Sequence, residues 1–204
     1  MKQTIITISR EFGSGGHVIG EKIAEKMNIP FYDKDIIQEI ADKTGFSEDF
    51  VKEQSEYAPS KNMFAYAFVG RDHTGSSLSD QVYAAQTQVI QEISKKGSCV
   101  IIGRCADHIL ADVPGVVRVF VHAPEDFCLQ EAMKVNSLSV SDVQKLIAQT
   151  DEYRAHYYKY YTGQEWKNAQ NYDLSLDSSR LGFEGTVEAI LSYIEVRKKF
   201  DKTM

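Results

Sequence analysis

The sequence lacks three features that would each assign it to a large class of proteins. No apolar run approaches the ~20 residues of a membrane-spanning helix, and Met1 to Gln3 lead straight into a β-branched stretch without a signal-peptide pattern. Cysteine is scarce, since Cys99, Cys105 and Cys128 are odd in number and lack the paired spacing of a metal site. An excess of positive charge is also absent, because the net charge is −6. We therefore expect a cytoplasmic protein with reduced thiols that binds neither membranes nor nucleic acid.

The stretch from Thr4 to Met27 indicates a phosphate site. A β-branched run leads into a loop with Gly13, Ser14, Gly15 and Gly16, and an amphipathic helical pattern follows. Glycines let backbone N–H groups approach an anion, and the N-terminus of the next helix adds partial positive charge. A tight turn between a strand and a helix, without a ligand, is the other interpretation of such a glycine cluster.

The glycine loop departs from the P-loop pattern G-x-x-x-x-G-K-[ST]. When the two are aligned on Gly15, the first glycine is replaced by Arg10, the lysine by Gly16 and the hydroxyl residue by His17. Arg10 is then the only strong cation near the loop in the sequence. We expect its guanidinium to bridge phosphate oxygens, with a different reach from that of a lysine.

Two further residues follow predicted strands. Asp33 comes after a short strand that opens at Pro30, and it either caps the next helix or faces the mouth of the phosphate site. Arg104 follows the apolar run Cys99–Gly103, where a buried arginine needs an anion or a carboxylate partner. Its other interpretation is a structural salt bridge.

Two segments have the character of a ligand-covering insert. Residues 57–77 are rich in Pro, Gly, Ser and aromatic residues and contain Arg71, so we expect either a mobile binding insert or aromatic packing on the core. Residues 130–163 include a tyrosine-rich stretch in which Asp151 and Arg154 share a helix face, with Asp151 expected near the helix N-terminus. This second segment is either a packed helical hairpin or a lid over the phosphates. As a lid, it should hold Arg154 away from the glycine loop until phosphates bind, because arginines brought together without an anion repel one another.

Five apolar runs alternate with helical patterns along a chain of 204 residues. This alternation predicts one domain with a doubly wound, mostly parallel α/β sheet. The predicted strands cover Ile5–Ile8, a short segment from Pro30, Cys99–Gly103, Val116–Ala123 and Leu174–Leu176.

The chain resembles the cytidylate-kinase-like proteins, which are relatives of the nucleoside monophosphate kinases. The resemblance covers nearly the whole chain and rests on five segments in order: ITISREFGSGGHVIGEKIAEKMNIPFYDKDII, CVIIGRCADHIL, VRVFVHAPED, DEYRAHYYKYYTG and YDLSLDSS. It implies a P-loop kinase fold with sheet order 2-3-1-4-5, a monophosphate-binding insert and a helical lid.

The resemblance also implies a function and a set of site residues. ATP would bind with Mg²⁺ at the glycine loop, CMP, dCMP or a related acceptor would bind near Asp33, Arg71 and Arg104, and the lid with Asp151 and Arg154 would close over the phosphates. The resemblance thus makes Arg10, Arg104 and Arg154 the candidate catalytic residues and Gly13, Ser14, Gly15, Gly16 and His17 the candidate phosphate-binding residues.

Several departures from the family pattern keep two other functions open. The P-loop lysine and hydroxyl are missing, so no protein ligand for Mg²⁺ is assigned, and the helix after the fourth strand retains only Lys134 where relatives have arginines. Cys105 stands where relatives have an aspartate. A non-catalytic nucleotide- or anion-binding protein would tolerate these losses. A dinucleotide-binding oxidoreductase would also use a glycine turn, but the spacing to Gly20 does not match G-x-G-x-x-G.

Overall fold

A computed structural model describes residues 3–55 and 77–200 of the chain. The described residues contain a five-stranded, fully parallel sheet in the order β2-β3-β1-β4-β5. The doubly wound sheet and its strand order, both expected from the sequence, are thereby confirmed. The strands are β1 (Ile5–Arg10), β2 (Phe31–Tyr32), β3 (Cys99–Ile102), β4 (Val116–His122) and β5 (Leu174–Asp177).

Helices connect each strand to the next and cover both faces of the sheet. Glycine or asparagine in the left-handed region ends several of them, as at Asn28 and Gly45, where the backbone N–H groups bond to the last carbonyls of the helix. The helices are α1 (Gly16–Met27), α2 (Asp35–Thr44), α3 (Glu48–Gln54), α4 (Leu78–Lys96), α5 (Ala106–Ile109), α6 (Glu125–Val135), α7 (Val140–Thr162) and α8 (Ser178–Phe200).

The core has two layers because successive residues of a strand point to opposite faces of the sheet. Ile6 and Ile8 face α1 and α8, and Ile5 faces the layer that holds α2, α3 and α4. A third buried cluster is aromatic and lies where α7 crosses the sheet. It includes Phe120, Tyr157, Tyr158, Trp166 and Tyr172.

Strand β1 lies at the point where the direction of sheet winding reverses, between β3 and β4. Ligands of doubly wound proteins bind beside the carboxyl ends of the strands at such a point. Arg10 is the last residue of β1, and the glycine loop follows it. The topology therefore places the predicted phosphate loop at the position in the fold that is best suited to a ligand.

The predicted inserts have different outcomes. Residues 57–76, with Arg71, lie outside the described residues, and Ser77 caps α4 through a reciprocal bond with Asp80. The expectation that Asp151 lies near a helix N-terminus is wrong, because Ser139 caps a single helix of 23 residues that begins at Val140 and runs through Asp151.

None of the helices in the described ranges combines the length and hydropathy needed to span a membrane.

Candidate functional site

A cavity of about 610 Å³ opens at the carboxyl edge of the sheet, above the end of β1. The glycine loop forms one side of it, and residues of α2, α3, α6 and α7 contribute to the others. Several residues that the sequence predicted separately line this one cavity: Arg10, Gly13, Gly15, Gly16, His17, Asp33 and Arg154.

The glycines of the loop are required by its backbone and by its neighbours. Gly13 and Gly15 both have φ of 81°, in the left-handed region that a side chain disfavours. A Cβ atom on Gly13 would lie 2.4 Å from the carbonyl oxygen of Cys128, and one on Gly15 would lie 2.2 Å from Cε1 of Phe183. The loop is thus fitted closely between α6 and α8 while still bordering the cavity.

The N-terminus of α1 is suited to an anion. Gly15 is its N-cap residue, and within the described chain no side chain caps the first turn. Helix N-termini leave backbone N–H groups without intrahelical acceptors and carry partial positive charge. Ser14 does not contribute a hydroxyl to this turn, because it is buried and its Oγ donates to the carbonyl oxygen of Glu11 at 2.8 Å.

Arg10 extends from the end of β1 along the glycine loop. A Cβ atom on Gly16 would lie 2.4 Å from Cβ of Arg10, so only glycine at position 16 lets the arginine side chain pass. Arg10 is 5% exposed and lines the cavity. This geometry is compatible with a cation facing bound phosphates, and the phosphate-binding role of Arg10 stays a prediction.

Arg154 and Asp151 contact the start of the glycine loop. Nη1 of Arg154 donates to the carbonyl oxygen of Arg10 at 3.0 Å and to Oδ1 of Asp151 at 3.3 Å. The same Asp151 oxygen accepts a bond from the backbone N–H of Phe12 at 2.8 Å. Burial raises the pKa of Asp151, and the charge of Arg154 and the bond from Phe12 oppose that rise.

The expectation that Arg154 stands away from the glycine loop in the unliganded protein is therefore wrong. That expectation rested on repulsion among Arg154, Arg10 and Arg104 in the absence of an anion. In the structure, Asp151 lies beside Arg154, and the Arg154 guanidinium donates a hydrogen bond to the Arg10 carbonyl oxygen. Both contacts reduce that repulsion. The closure of residues 130–163 over a bound ligand stays a prediction.

His17, Asp33 and Arg104 form a chain of charged groups on the other side of the loop. Nδ1 of His17 lies 3.2 Å from Oδ2 of Asp33, whose Oδ1 lies 3.9 Å from Nη2 of Arg104. The hydrogen bond to Asp33 is the main reason that the pKa of His17 is raised, and partial burial opposes it. Asp33 lines the cavity, which agrees with the ligand-facing interpretation, whereas the N-cap residue of α2 is Lys34, one position later.

Arg104 itself lies behind Asp33 and is fully buried. Its φ of 58° and that of Cys105, 54°, put two consecutive non-glycine residues in the left-handed region. Nε2 of Gln86 donates to the Arg104 carbonyl oxygen at 3.0 Å and helps to hold this turn. Arg104 borders a small cavity of about 10 Å³, together with Arg154 and Tyr158, and is not among the residues that line the 610 Å³ cavity.

Sequence reasoning missed two cations of the main cavity, Lys34 and Lys52. Lys52 lies on α3, where Val51 packs into the core and Glu48, four residues before Lys52, also faces the cavity. This amphipathic spacing was visible in the sequence. The sequence did not show that the polar face of α3 points into the cavity, because the direction of that face depends on how α3 packs against the rest of the fold.

Most tyrosines of α7 are packing residues, and Tyr160 is exposed. The rings of Tyr161 and Tyr83 stack with centroids 3.8 Å apart, and the hydroxyl of Tyr158 donates to Oδ2 of the buried Asp107 at 2.6 Å. These contacts tie α7 to α4 and α5. They fix the helix that presents Arg154 to the glycine loop.

Comparison with known proteins is consistent with this geometry. Comparison with curated proteins gave no match. A crystal structure of an uncharacterized protein from Eubacterium ventriosum is 25% identical and has a TM-score of 0.72, with 95% of this chain and 99% of that chain covered.

Shikimate kinases share the fold at lower identity. The enzyme from Bacteroides thetaiotaomicron is 16% identical, with a TM-score of 0.55 over 95% of this chain and 99% of that chain. The enzyme from Acinetobacter baumannii, solved in complex with shikimate, is 16% identical, with a TM-score of 0.53 over 96% and 94% of the two chains. The model of the cytidylate kinase-like family matches residues 5–180, and the chain therefore belongs to that family and has a kinase-type fold.

Proposed function

We propose that this protein transfers the terminal phosphoryl group of ATP to CMP, dCMP or a related acceptor. Membership of the cytidylate kinase-like family supports this proposal. The observation that carries it is that the glycine loop, Arg10 and Asp33 line one cavity of about 610 Å³. Donor phosphates and an acceptor need to meet in one enclosed space, since catalysis of phosphoryl transfer rests mainly on positioning and charge stabilisation.

The donor phosphates bind at the glycine loop. The open N–H groups at the start of α1 and the guanidinium of Arg10 compensate the charge of the β- and γ-phosphates. Arg154 holds the Arg10 carbonyl in place through a hydrogen bond. Because Arg154 also lines the cavity, it can contact the transferring phosphoryl group. Phe183 borders the cavity above Gly15 and supplies apolar surface there.

The acceptor binds on the side of Asp33, Lys34 and Lys52. A carboxylate accepts hydrogen bonds from hydroxyl or amino groups of a nucleoside, and the two lysines attract a phosphate. Arg104 orients Asp33 from behind through the 3.9 Å ion pair. Arg71, the remaining acceptor residue suggested by the resemblance, lies outside the described residues.

Mg²⁺ fits this site when it arrives with the nucleotide. Mg²⁺ takes oxygen ligands and in kinases obtains most of them from phosphates and water, with one or two carboxylates. Glu48 and Asp49 line the cavity and would supply those carboxylates, directly or through water. Bound in this way, the ion would neutralise part of the phosphate charge. No group of three metal-ligating side chains occurs within residues 3–55 and 77–200, so a permanent protein-only metal site is not part of the proposal.

A cytoplasmic location belongs to the same proposal, because Cys99, Cys105 and Cys128 are all free thiols, in keeping with a reducing compartment.

A panel assay tests the proposed activity. Purified protein is incubated with ATP, Mg²⁺ and each nucleoside monophosphate in turn, and ADP release is followed with a no-acceptor control. We expect ADP release that depends on the acceptor, with CMP or dCMP the most active. A protein that binds ATP by calorimetry but releases ADP with none of the monophosphates contradicts the proposal.

A non-catalytic nucleotide- or anion-binding protein is the alternative, and one observation favours it. The only cation left on the helix after β4, Lys134, is 65% exposed and pairs with Glu131 on the same helix. It therefore adds little charge to the phosphate site. ATP binding without transfer in the panel assay would select this alternative.

A further inference from the structure

His17 lies between two carboxylates at the start of α1. Its Nδ1 is 3.2 Å from Oδ2 of Asp33, and its Nε2 is 3.3 Å from Oε1 of Glu21, one turn further along α1. The imidazole also contacts the ring of Phe31 edge-on, with centroids 5.2 Å apart. The His17 side chain is 44% exposed and lines the 610 Å³ cavity.

The geometry around His17 selects the protonated imidazolium. A neutral imidazole carries one N–H, whereas an ionised carboxylate can only accept hydrogen bonds. Both ring nitrogens face a carboxylate oxygen, so only the doubly protonated ring can donate to both. The charged groups around the ring are Asp33 after β2, Glu21 on α1 and Arg10 at the end of β1. The two carboxylates raise the pKa of His17, and the guanidinium lowers it.

The two partners of His17 are held very differently. The Asp33 side chain is 6% exposed and also faces Arg104, so it is fixed in the fold. The Glu21 side chain is 55% exposed and free to rotate into solvent. A phosphate oxygen can therefore replace Glu21 as the partner of Nε2 while Nδ1 stays bonded to Asp33.

We propose that His17, as an imidazolium anchored by Asp33, is a pH-dependent cation of the phosphate site that binds the phosphates of the nucleotide through Nε2. The proposal rests on the proposed function, since it concerns the same cavity. In the P-loop pattern His17 occupies the position of the hydroxyl residue next to the lysine, and both of those are missing here. His17 and Arg10 together thus supply positive charge that the missing lysine would have given.

The proposal has a reciprocal consequence for binding and protonation. An anion that binds the imidazolium form stabilises it, so the pKa of His17 rises when phosphates bind, and affinity falls as the ring deprotonates. A rise of one pKa unit on binding corresponds to about a tenfold difference in affinity between the two forms. The gain in affinity for phosphates is therefore fully present at low pH, and it is lost as pH rises through the pKa of His17 in the complex.

The first measurement follows the imidazole signals of the unliganded protein by NMR, with His17→Gln to assign the signal of His17. We expect the pKa of His17 to lie above the ordinary value of about 6.5 and to fall towards it in Asp33→Asn. Addition of tripolyphosphate or ATP should raise the pKa of His17 further. A pKa at or below the ordinary value, or one that neither ligand moves, overturns the proposal.

The second measurement is the affinity for ATP across pH, reported as the ratio of wild type to His17→Gln. The ratio removes the titration of ATP itself and of other groups. We expect about tenfold tighter binding by wild type at pH 6 and a ratio of about one at pH 9. His17→Lys should keep its affinity at pH 9, and His156→Gln, at an exposed position on α7, is the matched control.

The outcomes separate this proposal from the proposed function. ATP binding with a ratio that stays constant with pH overturns the role of His17 and leaves the nucleotide-binding function standing. Absence of any binding of ATP or tripolyphosphate between pH 6 and pH 9 overturns the proposed function, and the role of His17 is rejected with it.

Discussion

Two aspartate–arginine pairs flank the glycine loop, and they differ in what else they contact. Asp151 and Arg154 lie 3.3 Å apart, are 14% and 6% exposed, and bond to the backbone of Arg10 and Phe12. Asp33 and Arg104 lie 3.9 Å apart, and Asp33 also holds the half-exposed imidazole of His17.

This difference suggests a division of labour at the site. The first pair forms hydrogen bonds to main-chain atoms, which fix the path of the loop whatever its ligand. The second pair includes a titratable side chain that reaches the cavity. We infer that the Asp151–Arg154 pair holds the loop in shape and that the His17–Asp33–Arg104 group responds to charge in the cavity.

The largest effect is expected for loss of the first pair. Arg154→Ala leaves Asp151 as a buried charge without its cation and removes the donor to the Arg10 carbonyl, so we expect a loss of about 3–5 kcal/mol in the free energy of unfolding. Urea denaturation measures it. Arg180→Ala is the control, because Arg180 is 82% exposed and pairs with Asp177 at 3.7 Å, and exposed pairs contribute about 1 kcal/mol or less.

An equal effect of the two substitutions would show that the contacts of Arg154 with the loop add nothing to stability. That result would favour the interpretation of Arg154 as a residue of a lid over the phosphates.

The fit of the glycine loop under α8 should give the next largest effect. Gly15→Ala forces a side chain into a left-handed backbone and against Phe183, and we expect a loss of about 1–3 kcal/mol in the free energy of unfolding. Gly45→Ala is the control, since Gly45 has a φ of 74° and, among the described residues other than its chain neighbours, no atom lies within 4 Å of its added Cβ. If Gly45→Ala destabilised the protein as much, the cost would lie in the backbone alone, and contact with Phe183 would not constrain the loop.

The smallest effect concerns stability and the charge of His17. Because the folded-state pKa of His17 is raised, its ion pairs stabilise the fold below the ordinary pKa of about 6.5, and this contribution is lost as pH rises through the raised value. His17 is half-exposed, so we expect His17→Gln to lower the free energy of unfolding by less than about 1 kcal/mol at pH 5.5. The difference should vanish at high pH. A difference that grows with pH would contradict the assigned sign.

Much of the fold could be predicted from the sequence, because its signals are local. The β-branched runs predicted β1, β3 and β4, and Asn28 and Ser139, which cap the end of α1 and the start of α7, are residue types that favour those positions. The glycine loop could be assigned for the same reason, since strand, glycines and helix are consecutive.

The contacts across the site could not be predicted, because they join residues far apart in the chain. Arg154 and Arg10 are separated by 144 positions, and helix periodicity does not reveal which loop a helix face will meet. The left-handed backbone at Arg104 and Cys105 could not be predicted either, because local pattern does not indicate that conformation at an arginine and a cysteine.

The affinity of Arg10→Ala for ATP, measured by titration calorimetry beside wild type, tests most directly whether this cavity is a nucleotide phosphate site. Arg10 ends β1, lines the cavity and passes over Gly16. We expect wild type to bind ATP and the variant to bind more weakly by about 1.5–3 kcal/mol, the range for hydrogen bonds to charged groups. Denaturation of both proteins should give similar midpoints, which excludes unfolding as the cause. Equal affinity of the two proteins for ATP, or no binding by wild type, would contradict the account.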